Sequence, residues 1–159
     1  MPSKADARAS CLIAEADPFI ANLLLRFAEG RGIDCVRAGA DEDVVELARR
    51  LKPEVVIIDA ELPGELIGWE IMRALKSDDA TRHIALISCA WLSESEVRSL
   101  VGEVAGHLQK PDFSYSDFEQ ALRAAGIFTV ERRAVGLLPL PSGTGEVPLI
   151  DSQTKGQRL

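Results

Sequence analysis

The stretch Val55-Val-Ile-Ile-Asp59 decides the fold, because it is an apolar, β-branched run that ends in a carboxylate. Such side chains favour extended backbone, and a strand that is apolar on both sides indicates a parallel sheet covered by helices on both faces. Pro53 precedes the run and a loop rich in turn residues, 61–68, follows it. The stretch therefore predicts a central parallel strand whose carboxyl end carries Asp59.

Outward from this strand, predicted strands and helices alternate. Four more strands are expected, and each is followed by a segment with helical spacing of apolar residues, a helix-capping motif, or both. This pattern predicts an α/β fold in three layers, a five-stranded parallel, doubly wound sheet in the order 2-1-3-4-5. The strands are predicted at 11–14, 34–38, 84–87 and 106–109, and the helices from Asp17-Pro18, at 41–51, at 69–76, from the capping box Ser93-Glu-Ser-Glu96 and from the capping box Ser116-Asp-Phe-Glu119.

The chain is predicted to hold one folded domain at residues 10–126. Residues 1–9 are a polar arm, and residues 127–159, with several Pro and Gly, are expected to be a mostly disordered or loosely docked tail. No apolar run approaches the roughly 20 residues that cross a bilayer, and the first residues lack the apolar segment of a signal peptide. We therefore expect a cytoplasmic protein with no membrane contact.

The charge and the cysteines exclude further classes of protein. The formal net charge is −7, and the excess of acidic residues lies within residues 1–126, which argues against nucleic acid as a partner. Cys11, Cys35 and Cys89 are too widely spaced for a CxxC metal site, and their odd number does not indicate a disulfide framework. They are interpreted as small, buried apolar residues of a reduced protein.

Polar residues follow four of the five predicted strands. Glu15 and Asp17 follow the first strand, Asp59 the third, Ser88 the fourth and Lys110 the fifth. The carboxyl ends of parallel strands meet at one rim, where neighbouring carboxylates repel each other and require a cation such as Mg²⁺. A lysine there can pair with a carboxylate or a phosphoryl group, and a hydroxyl can donate to a phosphoryl oxygen.

In this order and spacing, the motifs resemble the receiver domains of two-component response regulators, over roughly residues 10–125. The resemblance implies a flavodoxin-like receiver fold and a phosphorelay function, in which Asp59 accepts a phosphoryl group from a histidine kinase or a histidine phosphotransfer protein. The motifs that carry it are Ala14-Glu-Ala-Asp-Pro18, Val55-Val-Ile-Ile-Asp59, Leu62-Pro-Gly64, Gly68, Ile87-Ser-Cys-Ala90 and Leu108-Gln-Lys-Pro111.

The resemblance also implies roles for the neighbours of Asp59. Ser88 would move toward the acyl phosphate and Lys110 would pair with it, while the metal set would comprise Glu15, Asp17, Asp59 and the backbone carbonyl of Glu61. The output would be a repacking of the face formed by helix 4, strand 5 and helix 5, which contacts a downstream protein. Such a domain is not an enzyme beyond the self-catalysed acceptance of its own phosphoryl group.

Three positions depart from the family pattern. Ala16 stands where the family has a direct metal-ligating Asp, which supports an alternative: a pseudo-receiver that binds partners without phosphorylation. His107 stands where the family often has an aromatic switch residue, and it is interpreted either as a switch or as a partly exposed surface histidine. Ile67 replaces the Asp usual before Gly68. Trp91 either anchors a partner or covers the site.

A hydrolase that uses an aspartate nucleophile is the rival from another class. Glu61 loosely satisfies its usual second acid, two residues after the nucleophile. However, that nucleophile normally follows the first strand, whereas Asp59 follows the third. The order of the strands therefore disfavours this interpretation.

Overall fold

Five parallel strands form one sheet in the order β2-β1-β3-β4-β5, which confirms the predicted topology. The structure is a computed structural model, and it describes residues 9–128. The predicted arm, apart from Ala9, and the predicted tail from residue 129 onward lie outside the described residues. The elements are β1 (Ser10–Ala14), α1 (Pro18–Gly30), β2 (Asp34–Arg37), α2 (Val44–Leu51), β3 (Val55–Asp59), α3 (Gly68–Ser77), β4 (Ala85–Ala90), α4 (Glu94–Val101), β5 (Gly106–Gln109) and α5 (Tyr115–Ala124).

Strand β3 is the centre of the sheet, as its sequence predicts. All five of its residues are buried, and it pairs with β1 on one side and β4 on the other. Ala14 is the register partner of Ile58, and Asp59 is the register partner of Cys89. Because these pairs lie at the carboxyl ends, residues that follow β1 and β3 meet at the same edge of the sheet.

Helices cover both faces of the sheet. On one face, α2, α3 and α4 bury apolar residues such as Leu47, Met72 and Val97 against β1, β3 and β4. On the other face, α1 and α5 meet through aromatic rings, with the centroids of Phe27 and Phe118 5.4 Å apart. This apolar burial removes both faces of β3 from water, which is the main favourable term in folding. None of the helices between residues 9 and 128 is long and apolar enough to cross a membrane.

Two predicted helix starts were wrong. Helix α2 begins at Val44 instead of Asp41, because the Asp43 side chain accepts a hydrogen bond from the Glu46 amide and caps it there. Helix α5 begins at Tyr115 after the capping box of Ser114 and Asp117, and not after the predicted box at 116–119. Two overlapping motifs compete here, and the earlier start places Tyr115 beside Phe27, with 5.1 Å between ring centroids.

The predicted end of β4 was also wrong. The strand continues past Ser88 to Ala90, because Cys89 and Ala90 pair with Leu108 and Gln109 of β5. Ser88 therefore lies inside β4 and is fully buried, with His107 as its register partner. The alternation of apolar residues did not reveal this extension, because Ser88 interrupts the apolar run.

Gly68 closes the loop that follows β3. Its amide donates to the carbonyl of Leu62 at 2.9 Å, and the next amide, that of Trp69, donates to the carbonyl of Ala60 at 2.8 Å. A Cβ atom at Gly68 would lie 1.9 Å from the carbonyl oxygen of Asp59, so only glycine fits. The loop is thus held directly against the end of β3 and fixes the backbone of Asp59.

Candidate functional site

Asp59 lies at the carboxyl end of β3 with its side chain 8% exposed. One carboxylate oxygen, Oδ1, accepts a hydrogen bond from the Glu61 amide at 2.8 Å. The other, Oδ2, lies 3.3 Å from the Lys110 ammonium. The carboxylate is therefore oriented by the backbone of its own loop and neutralised by a residue from the end of β5.

Lys110 joins Asp59 to a second carboxylate, that of Glu15. Its Nζ lies 2.7 Å from Glu15 Oε1, and these three side chains are 8% exposed or less. The Lys110 amide donates to the carbonyl of Ala90 at 2.8 Å, which continues the pairing of β4 and β5, and the Lys110–Pro111 peptide bond is cis. Glu15, Asp59 and Lys110 thus meet at one rim, as the sequence predicts, and they form an ion-paired group.

Burial and charge oppose each other in this group. Burial raises the pKa of Glu15, even though the Lys110 ammonium and the Asp17 amide favour its ionised form. Burial disfavours the ammonium of Lys110, but its contact with Glu15 and the charge of Asp59 outweigh burial, so the pKa of Lys110 is raised. Lys110 therefore remains a cation at neutral pH, and it is the cation that allows two carboxylates to lie together.

Ser88 makes its hydrogen bonds to a different set of residues. Its Oγ lies 2.7 Å from His107 Nδ1 and donates more weakly to the carbonyl of Gly106 at 3.4 Å. His107 Nε2 lies 3.3 Å from Gln109 Oε1, and the side-chain Nε2 of Gln109 donates to the carbonyl of Trp91 at 2.8 Å. His107 is half-buried, and these hydrogen bonds connect Ser88 to the loop before α4.

The side chains of Asp17 and Glu61 are engaged elsewhere, although Glu61 is expected to offer a metal only its backbone carbonyl. The Asp17 carboxylate is exposed and accepts from the amides of Phe19 and Ile20 at 2.8 and 3.3 Å, so it caps α1. The Glu61 carboxylate accepts from the Trp91 amide at 2.8 Å. Within residues 9–128, no three acidic, histidine or cysteine side chains form a group that could hold a metal ion.

The remaining donors fit Mg²⁺ only as a reduced set. Glu15 and Asp59 supply carboxylate oxygens, and the main chain of Glu61 supplies a carbonyl, all of which are hard oxygen ligands. Ala16 is exposed and contributes a methyl group where a third carboxylate would lie. The magnesium site therefore stays a prediction, with Glu15, Asp59 and the Glu61 carbonyl as the ligands that this chain offers.

Sequence reasoning missed two contacts that depend on strand register. The register of β4 and β5 pairs Ser88 with His107, and the register of β3 and β4 pairs Asp59 with Cys89. Burial raises the pKa of Cys89 to about 12, and the negative charge of Glu15 adds to this effect. Both pairs could have been predicted by aligning the predicted strands at their carboxyl ends.

Comparisons with known proteins agree with this geometry. The family described as "Response regulator receiver domain" matches residues 11–123. The polar-differentiation response regulator DivK of Brucella anthropi is 29% identical over 104 residues, which is 64% of this chain and 84% of that protein. The family match spans the part of the chain that forms the sheet and its helices.

Solved structures show the same fold. A sensor protein from Polaromonas sp. JS666 is 28% identical with a TM-score of 0.65, over 76% of this chain and 98% of that one. The receiver domain of the sensor histidine kinase PA1611 from Pseudomonas aeruginosa PAO1, described with a magnesium ion in its active-site cleft, is 20% identical with a TM-score of 0.64, over 76% of this chain and 99% of that one. With the family match over most of its described residues, this chain belongs to the response regulator receiver domain family.

Proposed function

We propose that this receiver domain accepts a phosphoryl group on Asp59 from a histidine kinase or a histidine phosphotransfer protein. The observation that carries the proposal is the ion pair of the buried Asp59 carboxylate with Lys110, 3.3 Å away at the end of β5. A buried ion pair adds little net stability to a fold, so the burial of this one supports a role beyond packing. In the phosphorylated state the ammonium would pair with a phosphoryl oxygen.

Phosphoryl transfer to Asp59 would depend mainly on the position of the carboxylate and on compensation of charge. An oxygen of Asp59 would attack the phosphorus of a phosphohistidine, a P–O bond would form, and the P–N bond would break as the imidazole leaves. The Glu61 amide holds Oδ1 at 2.8 Å and so fixes the rotation of the carboxylate. Lys110 would offset the charge of the phosphoryl oxygens by a charge-assisted hydrogen bond.

A magnesium ion would be held by Glu15, Asp59 and the backbone carbonyl of Glu61. When bound, it would neutralise charge on the phosphoryl oxygens. Because Ala16 supplies no carboxylate, we propose that the affinity for Mg²⁺ is low and that acceptance from small acyl phosphates is correspondingly slow.

The output would begin at Ser88. A phosphoryl group on Asp59 would compete with His107 for the Ser88 hydroxyl, and release of His107 would free Gln109 and the loop at Trp91. Trp91 is 63% exposed and precedes α4, so its indole would be a contact for a downstream protein on the face of α4, β5 and α5. The domain would signal in the cytoplasm through this contact, with no catalytic activity beyond its own phosphorylation.

Ala16 supports the second candidate, a pseudo-receiver that binds partners without phosphorylation. The nearest alternative ligand, Asp17, uses its carboxylate to cap α1. In this case the ion pair of Lys110 with Glu15 and Asp59 would hold the domain permanently in one state.

Intact-mass measurement tests the proposal. The wild-type protein and Asp59→Asn are incubated with acetyl phosphate at millimolar Mg²⁺, and we expect one phosphate adduct on the wild type and none on Asp59→Asn. A parallel titration with beryllium fluoride follows the emission of Trp91, with Trp69→Phe to remove the other indole. Absence of both the adduct and the fluorescence change in the wild type would contradict phosphorylation and favour the pseudo-receiver.

A further inference from the structure

Two cysteines that the proposed function does not use face each other across the edge of the sheet. Cys11 of β1 and Cys35 of β2 are register partners in a parallel pair, so their side chains project from the same face. Neighbouring strands lie about 4.8 Å apart. This spacing falls within the Cα separation of about 4.4–6.8 Å that a disulfide spans. The strand pairing therefore places the two Cα atoms within the range that a disulfide spans.

The two thiols belong to neighbouring strands, and their environments differ. Cys11 is buried, and Cys35 is half-buried on the edge strand. The neighbouring thiol lowers the pKa of Cys35 and raises the pKa of Cys11, whose burial adds to the effect. Cys35 is thus the accessible thiol that ionises more readily, and Cys11 is the neighbour that cannot be reached from solvent.

We propose that Cys11 and Cys35 form a dithiol modification site that a peroxide oxidises reversibly to a disulfide. The sulfur of the Cys35 thiolate would attack one oxygen of hydrogen peroxide, the O–O bond would break, and a sulfenic acid and one water would result after protonation. The sulfur of Cys11 would then attack the Cys35 sulfur, forming the S–S bond, and the hydroxyl would leave with the thiol proton as a second water. Two thiols and one peroxide give one disulfide and two waters.

The third cysteine of the chain provides an internal control. Cys89 is fully buried in β4, and its register partners are Asp59 and Leu108. It has neither access to a peroxide nor a thiol beside it in register. The dithiol lies near the start of β1, whereas Asp59 lies at the carboxyl end of β3, so the inference does not rest on the proposed phosphorylation.

Alkylation and intact mass test the inference on the full chain. The wild type, Cys35→Ser and Cys89→Ser are treated with equimolar hydrogen peroxide and then alkylated in denaturant. From the three cysteines of the sequence, we expect one alkylated thiol in the oxidised wild type and three after dithiothreitol. Cys89→Ser should show none after oxidation, whereas Cys35→Ser should keep both of its thiols.

Phenylarsine oxide provides a second measurement without an oxidant, because its arsenic binds two nearby thiols with loss of one water. We expect one arsenic per chain in the wild type and in Cys89→Ser, and none in Cys35→Ser, with circular dichroism to show that each variant is folded. Three free thiols in the peroxide-treated wild type would overturn the inference. A disulfide between chains, an oxidation that dithiothreitol does not reverse, or equal arsenic uptake by Cys35→Ser would also overturn it.

Discussion

The two sides of Asp59 are built differently. On one side, Lys110 and Glu15 are buried and come from residues at strand ends, so their positions follow from the pairing of the sheet. On the other side, Ala16 and Asp17 are exposed in the loop between β1 and α1, and Asp17 serves as a helix cap. The difference indicates that the buried side carries structural stability as well as charge, whereas on the exposed side a methyl group at Ala16 is compatible with the fold.

The largest effect is expected from Lys110→Met, which would break the buried side. Removing the ammonium leaves two buried carboxylates without their cation, and loss of one partner of a buried ion pair costs about 3 kcal/mol. Chemical denaturation at neutral pH should show this loss in the free energy of unfolding. Adding Glu15→Gln to Lys110→Met removes one of the two unpaired carboxylates and should recover part of the lost free energy of unfolding.

Glu15, the partner of Lys110, gives the stability of the domain a pH dependence with a defined sign. Because burial raises the pKa of Glu15 above its ordinary value, folding favours its neutral form. The stability that Glu15 contributes is therefore fully present below its unfolded pKa and is lost as pH rises through the folded pKa. Glu15→Gln should flatten this fall, and a variant with the same slope as the wild type between mildly acidic and neutral pH would contradict the assignment to Glu15.

Gly68→Ala would disturb the end of β3 at Asp59, which lies between the two sides. Its Cβ would meet the carbonyl oxygen of Asp59 at 1.9 Å, so the loop or the strand end must shift, and overpacking of this kind costs about 2 kcal/mol. Thermal unfolding and beryllium fluoride titration should both change. Gly30→Ala is the matched control, because the nearest atom to its Cβ would be the Tyr115 hydroxyl at 3.8 Å; it should not lower the thermal stability and should leave the beryllium fluoride titration unchanged.

Ala16→Asp would sharpen the comparison by restoring an acid to the exposed side. The added carboxylate faces solvent at the edge of the proposed magnesium set, so the affinity for Mg²⁺ should rise about tenfold, which corresponds to about 1.4 kcal/mol. Fluorescence titration with Mg²⁺ measures this change, and Ala16→Asn, with a neutral oxygen in the same place, should give a smaller one. An affinity that does not rise would show that Ala16 does not border the site.

Asp17 variants should give the smallest effect and separate its two possible roles. Asp17→Ala removes the cap of α1 and should cost about 1 kcal/mol of unfolding free energy, whereas Asp17→Asn keeps a capping oxygen and should cost little. If Asp17 only caps the helix, the affinity of Asp17→Asn for Mg²⁺ equals that of the wild type. A loss of Mg²⁺ binding in Asp17→Asn, with stability unchanged, would make Asp17 a ligand.

The sequence predicts best what burial determines. The run 55–59 and the alternation around it were enough for the topology, because a parallel sheet covered on both faces requires apolar strands and helices in turn. The predicted end of β4 was wrong because a serine inside a strand cannot be told from a serine after it by sequence alone. The predicted start of α5 was wrong because two capping motifs overlap there. The contact of Ser88 with His107 depends on register, which the apolar pattern does not contain.

The ion-paired group has one further consequence. One ammonium between two carboxylates leaves an unbalanced negative charge in a site that is closed to most solvent, and a phosphoryl group would add to it. Such a site requires a further cation that its own side chains do not supply. A protein donor that presents its own basic residue beside the phosphohistidine would supply that cation, so acceptance from such a donor would be faster than from a free acyl phosphate.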